Sequence, residues 1–74
     1  MMLATTHPHD FTNKEIQIIE LIKKGLSSKE IADQLFVSEN TVRRHRQNIA
    51  WKAGTSGKSS FRKFIKNFPL ANQD

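Results

Sequence analysis

The sequence contains no cysteine and no tyrosine, and no apolar run approaches the roughly 20 residues that a membrane-spanning helix needs. Without cysteine, disulfides and thiolate metal sites are excluded, which agrees with a reducing cytoplasm. The first ten residues lack the basic stretch and apolar core of a signal peptide. A chain of 74 residues without such staples is expected to form one small domain that depends on regular helix packing.

Acidic residues are absent from residues 40–73, where eight lysines and arginines lie. Residues 1–39 hold four lysines against six acids, so the net charge of +5 comes from the C-terminal half. Exposed helices normally mix the two signs. The asymmetry favours a polyanionic partner, with nucleic acid ahead of an anionic membrane. A membrane role is disfavoured because no segment combines a wide apolar face with a dense basic one.

No group of residues indicates an enzyme, a metal site or a bound cofactor. The sequence has no nucleophile paired with a base and no glycine loop of the phosphate-cradling kind. His7 and His9 form a pair without a third ligand nearby, and His45 is far from them in the sequence. We therefore expect no catalysis, no metal and no cofactor.

Helix start signals occur three times in the first half of the chain. Thr12 is a candidate N-cap with Glu15 three residues later, and Ser27 with Glu30 repeats this capping box. Ser38 is a third candidate N-cap, and it precedes an acidic residue that suits the positive end of a helix dipole. A fourth segment has apolar residues at helical spacing, namely Phe61, Phe64, Ile65 and Phe68.

The ends of these segments are marked by glycine or proline. Gly25 and Gly54 each follow a lysine-containing turn, as expected of left-handed C-caps, and Pro69 stops the last segment. The prediction is an all-α, compact four-helix domain with helices at about residues 13–24, 28–35, 39–53 and 58–68. This domain, residues 11–68, is expected to lie between a flexible tail or linker remnant at 1–10 and a disordered tail at 69–74.

The second and third predicted helices form a helix-turn-helix, because only three residues separate a short helix from a longer one. At about 100° per residue, Val42, Ile49 and Ala53 share one stripe of the longer helix, which we expect to be buried. The opposite side presents Arg43, Arg44, Gln47, Asn48 and Trp51. Arginine pairs with guanine and glutamine with adenine in the major groove, so this face suits DNA.

Three stretches, FTNKEIQIIELIKKG, GLSSKEIADQLFVS and TVRRHRQNIAWKAG, share the residue pattern of a known family. Residues 11–54, about 44 of the 74, thereby resemble the LuxR-type (GerE-like) helix-turn-helix of bacterial transcription regulators, including response-regulator effector domains. The matching positions include Glu15, Gly25, Ser27, Lys29, Glu30, Ala32, Thr41, Val42, His45, Asn48, Ile49, Lys52 and Gly54.

The resemblance implies sequence-specific binding of double-stranded DNA for transcription regulation, with the helix at 39–53 in the major groove. It implies base contacts from Arg43, Arg44 and Gln47, which the helical periodicity indicates independently. It also implies phosphate contacts, for which the candidates are Lys29, Thr41, Asn48 and Lys52, and we add Arg46 because it flanks the buried stripe. The fourth helix is expected to form a homodimer contact through Phe61, Phe64 and Phe68.

Some positions depart from the family pattern. Ala53 and Thr55 stand where aliphatic residues are usual, Phe61 where a small residue is usual, and Trp51 where a polar residue is usual. We expect an intramolecular contact for Trp51.

The alternative function is a protein-interaction module that docks on RNA polymerase or another regulator through the surface of Phe61, Phe64 and Phe68. RNA binding is disfavoured because the interleaved aromatics of a stacking platform are missing. The expected location is the cytoplasm, at the nucleoid.

Overall fold

In a computed structural model, the structure describes residues 11–69, and these form four α-helices without a strand. The helices are α1 (Asn13–Lys23), α2 (Ser28–Leu35), α3 (Glu39–Ala53) and α4 (Lys58–Asn67). The all-α prediction and the central helix-turn-helix are confirmed. The predicted tail at 1–10, the histidine pair in it, and residues 70–74 lie outside the described residues.

Two predicted helices end one residue earlier in the structure. Lys24 is the C-cap of α1 and not its last residue. Phe68 leaves the helical region, with φ −69° and ψ 126°, so α4 ends at Asn67. This extended backbone is what the residue before a proline prefers, because the proline ring clashes with a helical neighbour.

Side-chain caps start the first three helices, as the sequence predicts. The Thr12 backbone N–H donates to Glu15 Oε1 at 2.9 Å, and the Glu15 backbone N–H donates to Thr12 Oγ1 at 3.1 Å. Ser27 and Glu30 form the same reciprocal pair on α2. The Thr41 backbone N–H donates to Ser38 Oγ at 3.1 Å. Each cap stabilises its helix by about 1 kcal/mol, which matters most for the eight-residue α2.

The core lies where α1, α2 and α3 meet, and α4 closes it from the side of α1 and α3. Its five largest fully buried side chains are all β-branched aliphatics, namely Ile18, Ile19, Ile31, Val42 and Ile49. Val42 and Ile49 of the predicted stripe of α3 are fully buried, and its third member, Ala53, is half-buried against the core, so this stripe is the face of the helix turned away from solvent. Ala32 is 4% exposed on α2 and lets this helix approach its neighbours closely.

The turn between α2 and α3 contains a left-handed residue that is not glycine. Phe36, the C-cap of α2, has φ 58° and ψ 44°, and the residue is 93% exposed. Such a conformation costs a residue with a Cβ about 1–2 kcal/mol. By contrast, Gly54 caps α3 at φ 71°, as predicted. Phe36 was not predicted to adopt this conformation, because no glycine or asparagine marks the position.

The phenylalanines of α4 face the core of the domain. Phe11, which precedes α1, packs edge-on against Phe68 at 5.6 Å between ring centroids and against Phe64 at 5.8 Å. Phe68 is only 3% exposed, and Phe61 and Phe64 are half-buried against the core. The prediction that all three rings form an outward contact surface therefore needs correction. Phe64 and Phe68 pack against Phe11, Phe61 packs against Phe64, and Phe68 is not available to a partner.

Candidate nucleic-acid interface

The free face of α3 is defined by the side chains that point away from the buried stripe. Because Val42 and Ile49 are fully buried, the residues near 180° from them lie in solvent. Arg43, Arg44 and Gln47 are exposed on the first half of the helix. They lie along one concave surface together with the helix-start residues Ser38, Asn40 and Thr41, and no acidic side chain lines that surface.

Arg44 is the cation of this face that no carboxylate of the described residues neutralises, and Gln47 is an uncharged amide beside it. Neither side chain has an ion-pair partner within residues 11–69. Neither side chain takes part in a side-chain hydrogen bond within residues 11–69, so both can form new hydrogen bonds without giving up an internal one. This is the arrangement that direct contact with a ligand requires.

Arg43 differs from Arg44, because its Nη2 lies 2.7 Å from Glu39 Oε2 one helical turn earlier. The two side chains are 64% and 40% exposed, so the pair contributes only about 0.3–0.5 kcal/mol. The sequence alone indicated that no acid balances the basic run of α3. The structure shows that Glu39 pairs with one of its members. The spacing of four residues between Glu39 and Arg43 was the available signal for this pair.

Lys52 lies on the core side of α3 and pairs with a buried carboxylate. Its Nζ donates to Glu15 Oε1 at 2.7 Å and lies 5.8 Å from the centroid of the Phe11 ring. Glu15 is 4% exposed, and the same oxygen accepts from the Thr12 backbone. A phosphate contact was predicted for Lys52, and one of the three donors of its ammonium is already used by Glu15. Sequence reasoning assigned Glu15 only to a helix cap and missed this pair.

The pKa of the Glu15 carboxyl reflects opposing effects. Burial alone raises the pKa, because it disfavours the charged form. The hydrogen bonds from Lys52 and from the Thr12 backbone, with the positive charge of Lys52, together outweigh burial and hold the pKa below its usual 4.5. Glu15 is therefore ionised at neutral pH and remains a partner for Lys52.

Arg46 is also turned away from the free face. Its Cζ lies 5.7 Å from the centroid of the Phe61 ring on α4, and the side chain is half-buried. Burial lowers the pKa of its guanidinium. Arg46 borders a cavity of about 570 Å³ between α1, α3 and α4, on the side of α3 opposite Arg44. Because Arg46 lies on this opposite side of α3, its position argues against the phosphate contact that was predicted for it.

The other predicted contact residues occupy more suitable positions. Lys29 is exposed in the first turn of α2, and Asn48 is exposed on α3. Thr41 is half-buried, and its hydroxyl lies 2.9 Å from Ser38 Oγ. Thr41 and Asn48 thus belong to α3, and Lys29 belongs to α2, the first helix of the helix-turn-helix.

Trp51 does not make the intramolecular contact expected for it. This residue, the only tryptophan of the chain, is 82% exposed near the C-terminal end of α3. The half-turn offset from Val42 explains this, since it places the indole opposite the core.

Comparison with known proteins identifies the architecture. The sequence pattern of the family described as "Bacterial regulatory proteins, luxR family" matches residues 9–61, well over half of the chain. The chain belongs to the luxR family. The match supports a DNA-binding role in transcription regulation, and it includes α1, α2 and α3 in full.

Similar luxR-family sequences occur in Staphylococcus aureus. The oxygen regulatory protein NreC of strains JH9, JH1 and Mu3 is 46% identical to this chain over 55 residues. The alignment includes 73% of this chain and 25% of NreC, so the chain spans about a quarter of the length of these relatives. No solved structure matches the chain closely. Among residues 11–69, no helix is long and apolar enough to cross a membrane.

The pH dependence of stability should reveal the pair of Glu15 and Lys52. Because the folded-state pKa of Glu15 is depressed, its contribution is present above the unfolded value and is lost as the pH falls through the folded value. Glu15→Gln should lower the free energy of unfolding by about 1–3 kcal/mol at neutral pH. The variant should also lose less stability than the wild type as the pH falls below 4.5. Urea unfolding between about pH 3 and pH 7 measures both effects.

Glu30→Gln is the matched control, because Glu30 occupies the same capping position on α2 but is exposed and has no lysine partner. We expect this variant to be destabilised less than Glu15→Gln at neutral pH. It should still lose stability in acid as the wild type does. Equal effects of the two substitutions would contradict a special contribution from the ion pair.

Proposed function

We propose that this chain binds double-stranded DNA in a sequence-specific manner, with the first half of α3 in the major groove, and thereby regulates transcription. The observation that carries the proposal is the exposure of Arg44 and Gln47 together on the free face of α3, where Arg44 has no acidic partner among residues 11–69. Membership of the luxR family supports the same conclusion. Its site of action is bacterial chromosomal DNA, in the cytoplasm.

Base discrimination is assigned to Arg44 and Gln47, with Arg43 as a third base-contacting residue. Bidentate hydrogen bonds from arginine to guanine O6 and N7, and from glutamine to adenine N6 and N7, each discriminate by about 1–3 kcal/mol. The two side chains are three residues apart and therefore lie about one turn apart on the same side of α3. They can contact neighbouring base pairs simultaneously.

Phosphate contacts are assigned to Lys29 on α2 and to Thr41 and Asn48 on α3. These contacts position the domain and make affinity depend on salt, without reading sequence. Lys52 contributes mainly through Glu15, by holding α3 against α1. The absence of acids from residues 40–73 keeps the potential of this region positive.

We also propose dimeric binding through α4, but not through the phenylalanine contact that the sequence predicted. The exposed side of α4 carries Arg62, Lys63 and Lys66, while its phenylalanines face the core. Two copies brought together along this side would place like charges opposite each other. We therefore propose that DNA phosphates must screen these charges, so that two copies pair on DNA and not free in solution.

A protein-interaction role through Phe61, Phe64 and Phe68 is not favoured, because Phe68 is buried and the other two rings are half-buried against the core. A polymerase contact would have to use other side chains.

Arg44→Ala should weaken binding to a cognate duplex by about 1–3 kcal/mol and affect random duplex DNA much less, because a base contact is lost. Lys29→Ala should weaken binding to both duplexes alike and reduce the slope of log K against log[salt] by about one. Fluorescence polarisation with both duplexes at several salt concentrations measures these effects. Equal losses for the two variants on both duplexes would refute the assigned roles.

Glu39→Gln should increase DNA affinity several-fold. The substitution releases Arg43 from its 2.7 Å ion pair and removes an acid from the end of α3 that enters the groove. Glu20→Gln on α1 changes the net charge equally but lies away from this face, and it should change affinity by less than about twofold. The same polarisation assay applies. An equal gain from both variants would mean that only net charge matters.

A further inference from the structure

Trp51 is a large apolar side chain that the fold leaves in solvent. Among the described residues, the large hydrophobic side chains that are exposed are Phe36, Val37 and Trp51, and of these Trp51 alone lies within a helix. An indole with 82% exposure contributes little to the stability of the domain. A contact outside the domain would explain its position.

The position of Trp51 on α3 relates it directly to Arg44. The two residues are seven positions apart, which is about two helical turns, so they lie on nearly the same line along the helix. The rise between them is about 10.5 Å. Trp51 is thus aligned with the proposed base-reading residue but is displaced toward the end of α3 that leaves the groove.

The dimensions of DNA determine what such a residue would meet. The major groove is about 12 Å wide, so a side chain about 10 Å from one that contacts base edges reaches the rim of the groove. The rim consists of phosphates and deoxyribose. An indole offers one N–H donor, which suits a phosphate oxygen, and a flat apolar ring, which suits the face of a sugar.

The charge around Trp51 favours the same partner. Neighbouring residues on the surface of α3 include Asn48, and no acid occurs between residues 40 and 69. A phosphate at this end of the helix would therefore meet no repulsion from nearby carboxylates.

We propose that Trp51 contacts the sugar–phosphate backbone of DNA at the rim of the major groove and donates its indole N–H to a phosphate. This inference rests on the proposed function, since it requires α3 to lie in the groove. The contact adds affinity that is independent of sequence. Because the indole is uncharged, it also adds affinity that is independent of counterion release.

Intrinsic fluorescence tests the contact without altering the protein. Trp51 is the only tryptophan of the chain, so its emission reports on this site alone. In the free protein, acrylamide should quench the emission efficiently. With saturating duplex DNA the quenching should fall several-fold, because the indole becomes covered. Unchanged quenching with bound DNA would overturn the proposal.

Substitutions at Trp51 test the chemistry of the contact. Trp51→Ala should weaken binding to cognate and random duplexes alike, by about tenfold. Trp51→Phe should retain part of this affinity, because the ring remains and the N–H is lost. Trp51→Glu should weaken binding further than Trp51→Ala, because a carboxylate at the rim repels phosphates. Exposure of the site predicts that all three variants fold, and circular dichroism checks this.

Gln17→Glu on α1 is the control for the added charge, since Gln17 is exposed on a helix that packs against the core side of α3. We expect it to change affinity by less than about twofold. Equal losses from Trp51→Glu and Gln17→Glu would overturn the inference, as would affinities of the Trp51 variants within about twofold of the wild type.

Arg44→Ala, measured in parallel, distinguishes failure of the Trp51 contact from failure of the proposed DNA-binding function. If Arg44→Ala loses specific binding while the Trp51 variants do not, the contact of Trp51 is wrong and the proposed function stands. If Arg44→Ala has no effect, the proposed placement of α3 fails, and the inference about Trp51 fails with it.

Discussion

A single buried carboxylate connects the start of the domain with the helix that carries the candidate interface. Glu15 accepts a hydrogen bond from the Thr12 backbone and so closes the cap of α1, and it accepts from Lys52 Nζ on α3 at 2.7 Å. Burying an unpaired carboxylate would be costly, so α1 and α3 are most stable in the one arrangement that satisfies it. That arrangement, with the fully buried Val42 and Ile49, determines which face of α3 meets solvent.

The cations of α3 therefore divide into two groups with different tasks. Lys52 and Arg46 lie on the core side, where they contact Glu15 and the Phe61 ring and join α3 to its neighbours. Arg43 and Arg44 lie on the outer side, where only Arg43 has an acidic partner among the described residues. A basic run that looks uniform in the sequence thus supplies both the contacts that hold α3 against its neighbours and the groups that α3 presents to solvent.

Much of the fold could be predicted from the sequence, because it rests on local chemistry. Capping boxes, glycine C-caps and helical periodicity involve residues within a few positions of each other, and they located four helices and the buried face of α3. Partners that are distant in the sequence could not be found in this way. The contact of Glu15 with Lys52 spans 37 positions, and the packing of Phe11 on Phe68 depends on how α1 and α4 meet. The same limitation explains why Phe68 was mistaken for a contact residue, whereas the exposure of Trp51 agrees with its local position opposite Val42 on α3.

The proposed task of the outer face of α3 is to recognise DNA sequence. Selection of duplexes from a random pool by the intact chain, followed by sequencing, tests it most directly. The account predicts an enriched motif that contains a guanine for Arg44 and a neighbouring adenine for Gln47, repeated at a fixed spacing if two copies pair on DNA. Enrichment of bound duplexes without any common motif would contradict the claim and would reduce the function to non-specific DNA binding.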